Sequence, residues 1–276
     1  MEDKLNQKER IKLYRVSDLP QIELFYGINV RRVFSRHVHW VFSLGVIEEG
    51  TRILDFQGCK YEIQPGMVKV ISPGEVHSGS AAEEKGYTVR TIRLEKDYYF
   101  SLVYQITGLS DKAPYFPERV FTDPPLYRKI IRLHKLLGEK RTKLEKEYLL
   151  LETLSQLIQN HAREKPQDLP TGNSDTSLSL VCDYLKYHMS ENVSLEELAR
   201  IGYLSAFHLA RLFTREIGVP PHVYQVQLRL NKALELLRSG KPVSSVALET
   251  GFFDQSHFTR AFKKKFGITP GQYSII

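Results

Sequence analysis

Cysteine is scarce in this chain: 276 residues hold only Cys59 and Cys182, beside a single tryptophan and three methionines. Two cysteines cannot build a disulfide framework, which excludes small stapled folds and favours a reducing compartment. No apolar run reaches the roughly 18–20 residues that a membrane-spanning helix needs. Residues 1–10 are polar and charged, without the apolar core of a secretory signal. A phosphate-cradling loop is missing too, because Gly66, Gly74 and Gly79 do not form G-x-G-x-x-G. No nucleophile–base pair stands out. The expectation is a cytoplasmic protein with no membrane partner and no enzyme activity.

What the chain does have is length for two domains and a basic balance, +7 overall with a pI near 9.2. Residues 177–276 carry 12 Lys and Arg against 8 Asp and Glu, and the first 176 carry 27 against 24. The shorter part is the more basic per residue, which leans toward nucleic acid as a partner. The polar stretch 162–176, AREKPQDLPTGNSDT, has two prolines and no apolar period and reads as a linker. Domains are therefore expected at 1–161 and 177–276.

Within the first, short β-rich runs (Val38–Ile47, Arg52–Gln57, Tyr61–Ile63, Met67–Ser72, Tyr87–Leu94) alternate with Gly and Pro breaks. That pattern predicts an all-β barrel or jelly roll. Helical spacing follows over 126–161, with Ile130, Leu133, Leu137, Leu144, Tyr148, Leu151, Leu154 and Ile158, suited to coupling or to a homodimer.

The last hundred residues contain one segment twice. Gly202, Ser205, His208, Leu209, Arg211, Phe213, Gly218, Val219, Pro221 and Tyr224 recur 49 positions later as Gly251, Asp254, His257, Phe258, Arg260, Phe262, Gly267, Ile268, Pro270 and Tyr273. A repeat of this period marks a duplicated supersecondary unit. Each copy reads as a short helix, a glycine turn and an amphipathic second helix. Ser194 and Glu197 predict a capping box on the first helix, and Ser205 and Asp254 predict caps on the second ones. Ala206, Phe207, Ala210, Arg211 and Thr214 are expected outward in one copy, and Gln255, Ser256, Thr259, Arg260 and Lys263 in the other.

Such a unit is a helix-turn-helix, whose second helix fits a major groove. Between the copies, Pro221–Arg238 predicts one helix of ~27 Å with an apolar stripe of Val223, Val226, Leu230, Ala233 and Leu237. That length is comparable with the ~34 Å between successive major-groove faces.

The run Ala247-x3-Gly251-Phe252-x3-Ser256-x-Phe258-x-Arg260-x-Phe262-Lys263-x3-Gly267-x-Thr269-Pro270-x2-Tyr273 closely resembles the C-terminal motif of AraC/XylS-type bacterial transcription regulators. The resemblance implies an all-α double helix-turn-helix that binds promoter DNA, an activator rather than a repressor, and RNA polymerase as a further partner. DNA contacts are expected from Phe207, His208, Ala210, Arg211 and Arg215 in the first copy. In the second they are expected from Gln255, Ser256, His257, Thr259, Arg260, Lys263 and Lys264. The paired histidines suit packing as well as base contact, and the run Lys263–Lys265 suits phosphates. Two positions depart from the family: Tyr203 stands where glycine is usual, and Ser274 where arginine commonly follows the tyrosine.

The N-terminal half looks like a cupin, the barrel that such regulators carry for an effector. His37-Val38-His39 opens one strand, and Gly66 to Pro73-Gly74-x2-His77 matches the second cupin motif. In a strand, His37, His39, Val41, Ser43 and Gly45 share a face. His37, His39, Ser43 and His77 are therefore expected to contact a small-molecule effector. Three imidazoles could hold a divalent ion, but Ser43 stands where a metal-binding cupin has a carboxylate, so no metal or cofactor is expected. The competing reading is a metal-dependent cupin enzyme, a dioxygenase or isomerase with an accessory DNA-binding domain.

Overall fold

Strands alternating with glycine turns build the first half of the computed structural model, which describes residues 8–56, 58–109, 114–163 and 176–275. The chain divides into two units, one of residues 1–34, 39–166 and 274–276 and the other of 35–38 and 167–273. Most of the expected linker, from 164 to 175, lies outside the described residues.

Along the N-terminal half the strands are β1 (Arg10–Val16), β2 (Leu19–Val30), β3 (Phe34–Val38), β4 (Val41–Glu49), β5 (Arg52–Phe56), β6 (Cys59–Ile63), β7 (Met67–Ile71), β8 (Val76–Ala81), β9 (Tyr87–Glu95) and β10 (Val120–Thr122). The helices are α1 (Lys96–Thr107), α2 (Pro124–Leu137) and α3 (Lys143–His161), and Ser274–Ile275 form a two-residue β11. One sheet runs β10-β7-β4-β9-β2-β1-β11 and the other β3-β8-β5-β6, so the β-rich unit is two sheets that do not close into a single hydrogen-bonded barrel. The large sheet is antiparallel except where β11 joins β1. Gly50 makes the tight β4–β5 turn at φ +73, and a side chain there would collide with the Gly86 carbonyl.

Period-two alternation decides what each face of the large sheet meets. Phe42, Leu44 and Val46 of β4 join Val70, Ile92 and Leu94 under Leu126, Ile130, Leu133 and Leu137 of α2 and Leu150, Leu154 and Leu157 of α3. Truncating one of these leucines to alanine is worth about 2–5 kcal/mol. Asp123 caps α2, and Thr142 with Glu145 forms a complete capping box on α3. The helical pattern over 126–161 is thus mostly spent on the sheet, while Leu144 and Tyr148 stay exposed. Ser43 and Gly45 occupy the other face of β4.

One expectation fails at the strand containing the paired histidines. The chain does not run straight from Val38 to Ile47: β3 ends at Val38 and pairs in the small sheet, whereas β4 starts at Val41 in the large one. At the crossing, the His39 carbonyl accepts from the Gly74 amide at 2.7 Å. His37 and Ser43 therefore belong to different sheets, because a sheet corner breaks the alternation.

In the second unit, α4 (Thr176–Tyr187) precedes α5 (Leu195–Ile201), α6 (Ala206–Ile217), α7 (Pro221–Arg238), α8 (Val243–Glu249) and α9 (Gln255–Phe266). A 3-10 turn at Pro270–Gln272 follows. The long helix has the expected ends, but its buried face runs through Tyr224, Gln227, Leu230, Ala233 and Leu234. Val223, Val226 and Leu237 are only half-buried. The capping box on α5 is half made: Ser194 accepts from the Glu197 amide, but the Glu197 carboxylate takes the Tyr184 hydroxyl instead of reaching back.

Candidate functional site

Both copies present their second helix in the same way. Ser205 accepts from the His208 amide at 3.2 Å and Asp254 from the His257 amide at 2.6 Å, closing the N-termini of α6 and α9. Gly218 and Gly267, both left-handed, end them. Leu209, Leu212 and Phe213 anchor α6, and Phe258, Phe262 and Phe266 anchor α9. Capped ends and a buried stripe fix which side chains remain outside.

Of the expected DNA contacts, Phe207, His208, Arg211 and Arg215 are exposed on α6, and Gln255, Ser256, His257, Arg260, Lys263 and Lys264 on α9. Thr259 and Ala210 are half-buried, and Ala210 lines a cleft with Leu198, Pro220 and His222. The Arg211 guanidinium lies 5.6 Å from the Phe207 ring, and Arg215 pairs with the exposed Glu216. His257 meets the Phe252 ring edge-on at 5.3 Å while staying exposed. The lysine run is not uniform: Lys265 is 9% exposed and donates to Asn231 Oδ1, so it is removed from the outer face.

The two copies also differ in register. In the first helix and turn the equivalents lie 48 apart: the Leu204 amide donates to the Ala199 carbonyl as Phe252 does to Ala247. The second helices keep the spacing of 49. One residue is lost in the first turn, and the left-handed position held by Gly251 (φ +79) falls to Tyr203 (φ +54), not Gly202. Gly251 has no room for a side chain, which would strike Ser190.

Arg229 of α7 escaped the sequence reading. Its Nε donates to the Met189 carbonyl at 2.6 Å, Nη1 to Gly251 at 2.6 Å and Nη2 to Glu191 at 2.8 Å. One guanidinium thereby holds the α4–α5 loop and the α8–α9 turn against the long helix, and burial pulls its pKa down.

In the β-rich unit, His39 and His77 are buried with their ring centroids 5.2 Å apart, whereas His37 lies on the segment 35–38 that belongs to the other unit. Nδ1 of His37 donates to the Ser35 carbonyl at 2.6 Å and Nδ1 of His77 to the Glu75 carbonyl at 3.2 Å. A carbonyl only accepts, so each Nδ1 carries the proton and Nε2 is the acceptor nitrogen. The His39 and His77 pair suits a polar ligand. Ser43, expected beside them, is buried opposite Arg93 in the β4–β9 register. Glu48, the next carboxylate along β4, pairs with Arg90 at 2.8 Å. Three cations of the β-rich unit were not foreseen from sequence, the buried Arg52 and Lys69 and the half-buried Arg93, which alternate with apolar residues in their strands and are far apart in the chain.

Comparison with known proteins bears on both halves. Residues 19–158 match the model of an AraC-like ligand binding domain, and residues 198–274 that of a helix-turn-helix domain. An uncharacterized HTH-type transcriptional regulator of Bacillus subtilis, YbfI, is 34% identical over 236 residues, covering 86% of this chain and 85% of that protein. The HTH-type transcriptional activator RhaS of Escherichia fergusonii is 28% identical, covering 94% and 95%. Among solved structures, an apo form of a ToxT point variant from Vibrio cholerae superposes with a TM-score of 0.58 at 14% identity over 97% of each chain. A wild-type ToxT structure with bound unsaturated fatty acid gives 0.56 at 12%, over 96% of this chain and 94% of the other. At that identity the likeness concerns the fold.

Proposed function

The chain belongs to the family of AraC-type transcription regulators, with a ligand-binding and a helix-turn-helix DNA-binding domain, and from that premise we propose how its own residues divide the work. The reading rests most on one observation: α6 and α9 carry matching caps and matching exposed faces on one unit. Arg211 and Arg260 read base edges, with Phe207, Ser256 and His257 beside them. Gln255, Thr259, His208 and Ala210 complete the surface, and Arg215, Lys263 and Lys264 meet phosphates.

The small-molecule effector sits against His39 and His77, with Ser43 on the large sheet, and acts by binding one functional state more tightly than another. No metal takes part in this reading. The protein acts in the cytoplasm as an activator that engages RNA polymerase, not as an enzyme; the RhaS relative is named an activator. Among the described residues no helix is long and apolar enough to cross a membrane. A homodimer forms through the exposed Leu144 and Tyr148 of α3.

Selection of a binding site from random DNA, followed by titration of variants, tests the division. Arg260→Ala weakens specific binding by about 1–3 kcal/mol and relaxes one position. Lys263→Gln with Lys264→Gln weakens all sequences alike and lowers the salt slope by about 2. An unchanged site preference in the first, or an unchanged slope in the second, refutes the assigned role.

A further inference from the structure

Lys69 of β7 and Arg52 of β5 are 5% and 7% exposed. Arg93 of β9 is half-buried, its side chain 12% exposed. In the register of the large sheet, Lys69 and Thr91 lie opposite Gly45, and Arg93 lies opposite Ser43. These residues share the face turned away from α2 and α3. A Cβ on Gly45 would sit 2.8 Å from Thr91 Oγ1 and 3.3 Å from Lys69 Cε, so the glycine makes room for the lysine stem. The small sheet supplies Arg52, whose Nη2 would be 2.5 Å from a Cβ on Gly79, and Gly79 shares its face of β8 with His77. The aromatic rings of Tyr87 and Phe34 lie 5.7 and 6.0 Å from the Arg52 guanidinium.

The charges do not balance. Arg93 donates to Glu23 at 2.9 Å. Among the described residues neither Lys69 nor Arg52 has an ion pair or a side-chain hydrogen bond. The Nε atoms of Arg52 and Arg93 are buried with no acceptor. Burial and the two guanidiniums hold the Lys69 ammonium well below the usual lysine range. Buried cations persist where a counter-charge meets them, and here the chain supplies only part of it.

We propose that Lys69, Arg52 and Arg93 form an anion subsite of the effector pocket, which takes the carboxylate or phosphate group of a small molecule. Arginine's fork and lysine's point charge suit either group, and His39 and His77 serve the rest of the ligand. The inference rests on the reading that this face holds the effector.

Thermal melting of the full chain tests it. The probes are inorganic phosphate against chloride at matched ionic strength, glucose 6-phosphate against glucose, and benzoate against benzamide. A saturable rise in Tm is expected with phosphate or with an acid member of a pair, and the responding arm tells phosphate from carboxylate. Lys69→Met weakens the apparent affinity by about 30-fold while leaving the ligand-free protein no less stable, since a repelled charge is gone. Arg52→Gln serves as the second variant. Equal affinity in the variants, a neutral member binding as tightly as its acid, or no response to any anion overturns the proposal. Binding of glucose or benzamide that His39→Ala abolishes and Lys69→Met spares keeps the effector face and removes only the anion. Silence of all six probes counts against both.

Discussion

Replacing Tyr203 by glycine should make the DNA-binding unit more stable, although the change removes a large aromatic side chain. Tyr203 holds φ +54, the left-handed region where a Cβ meets the following carbonyl, at a strain of about 1–2 kcal/mol. Its side chain is 85% exposed, so truncation forfeits little packing. Against the relief stands the added freedom of glycine in the unfolded chain, about 0.4–1 kcal/mol. The net gain is about 0.5–1 kcal/mol. Hydrogen exchange followed by mass spectrometry localises the effect: peptides from α5 and α6 should gain protection by about 2–5-fold, and those from β2 and β9 should not change. The matched control is Gly251→Ala, which sets a methyl against Ser190 and must lose protection in α8 and α9. Faster exchange in α5 and α6 of Tyr203→Gly would refute the strain argument and show that the exposed ring makes a stabilising contact.

Two further expectations follow from buried polar groups. Arg229→Met leaves the Met189 and Gly251 carbonyls without their donor, while Glu191 keeps Gln225, and should lower the stability of the helical unit by about 2 kcal/mol in urea unfolding, with Arg229→Lys recovering only part. In the β-rich unit, His134 donates from Nε2 to the Phe25 carbonyl and accepts at Nδ1 from Arg90. Burial, then the Arg90 charge, lowers its pKa from 6.5 to about 3. Between those values the unfolded chain binds a proton that the native state refuses. Stability therefore falls as pH drops through that window, by about 1.4 kcal/mol per unit from this one group. His134→Gln, which retains one donor and one acceptor, should flatten the acid limb of a stability–pH curve by that slope; an unchanged limb would show that His134 is not the group responsible.

The helical half was legible because its signals are local. Caps at Ser205 and Asp254, glycines at 218 and 267 and the proline at 221 lie within a few residues of what they terminate. The slip from 49 to 48 was not legible, since Gly202 stands one place from the position that needs glycine, and only backbone geometry separates them. Lys265 looked like its neighbours until the turn of α9 carried it to Asn231.

In the β-rich half, strands with alternating large residues were readable, whereas β8, Val-His-Ser-Gly-Ser-Ala, carries almost no hydrophobic pattern. The sheet crossing at His39–Trp40 depends on pairing with distant strands and leaves no mark in the local sequence. The cation cluster has the same cause: Arg52, Lys69 and Arg93 meet through register between strands, which no local spacing records.

The central claim, that one subunit reads DNA with two helices, is tested most directly by hydroxyl-radical footprinting on a selected site, with Arg211→Ala and Arg260→Ala compared against the parent. The account predicts, for each subunit, two protected segments about 10 base pairs apart on one face of the duplex. Each variant should weaken a different segment. A single protected segment per subunit, or both variants erasing the same one, would contradict it.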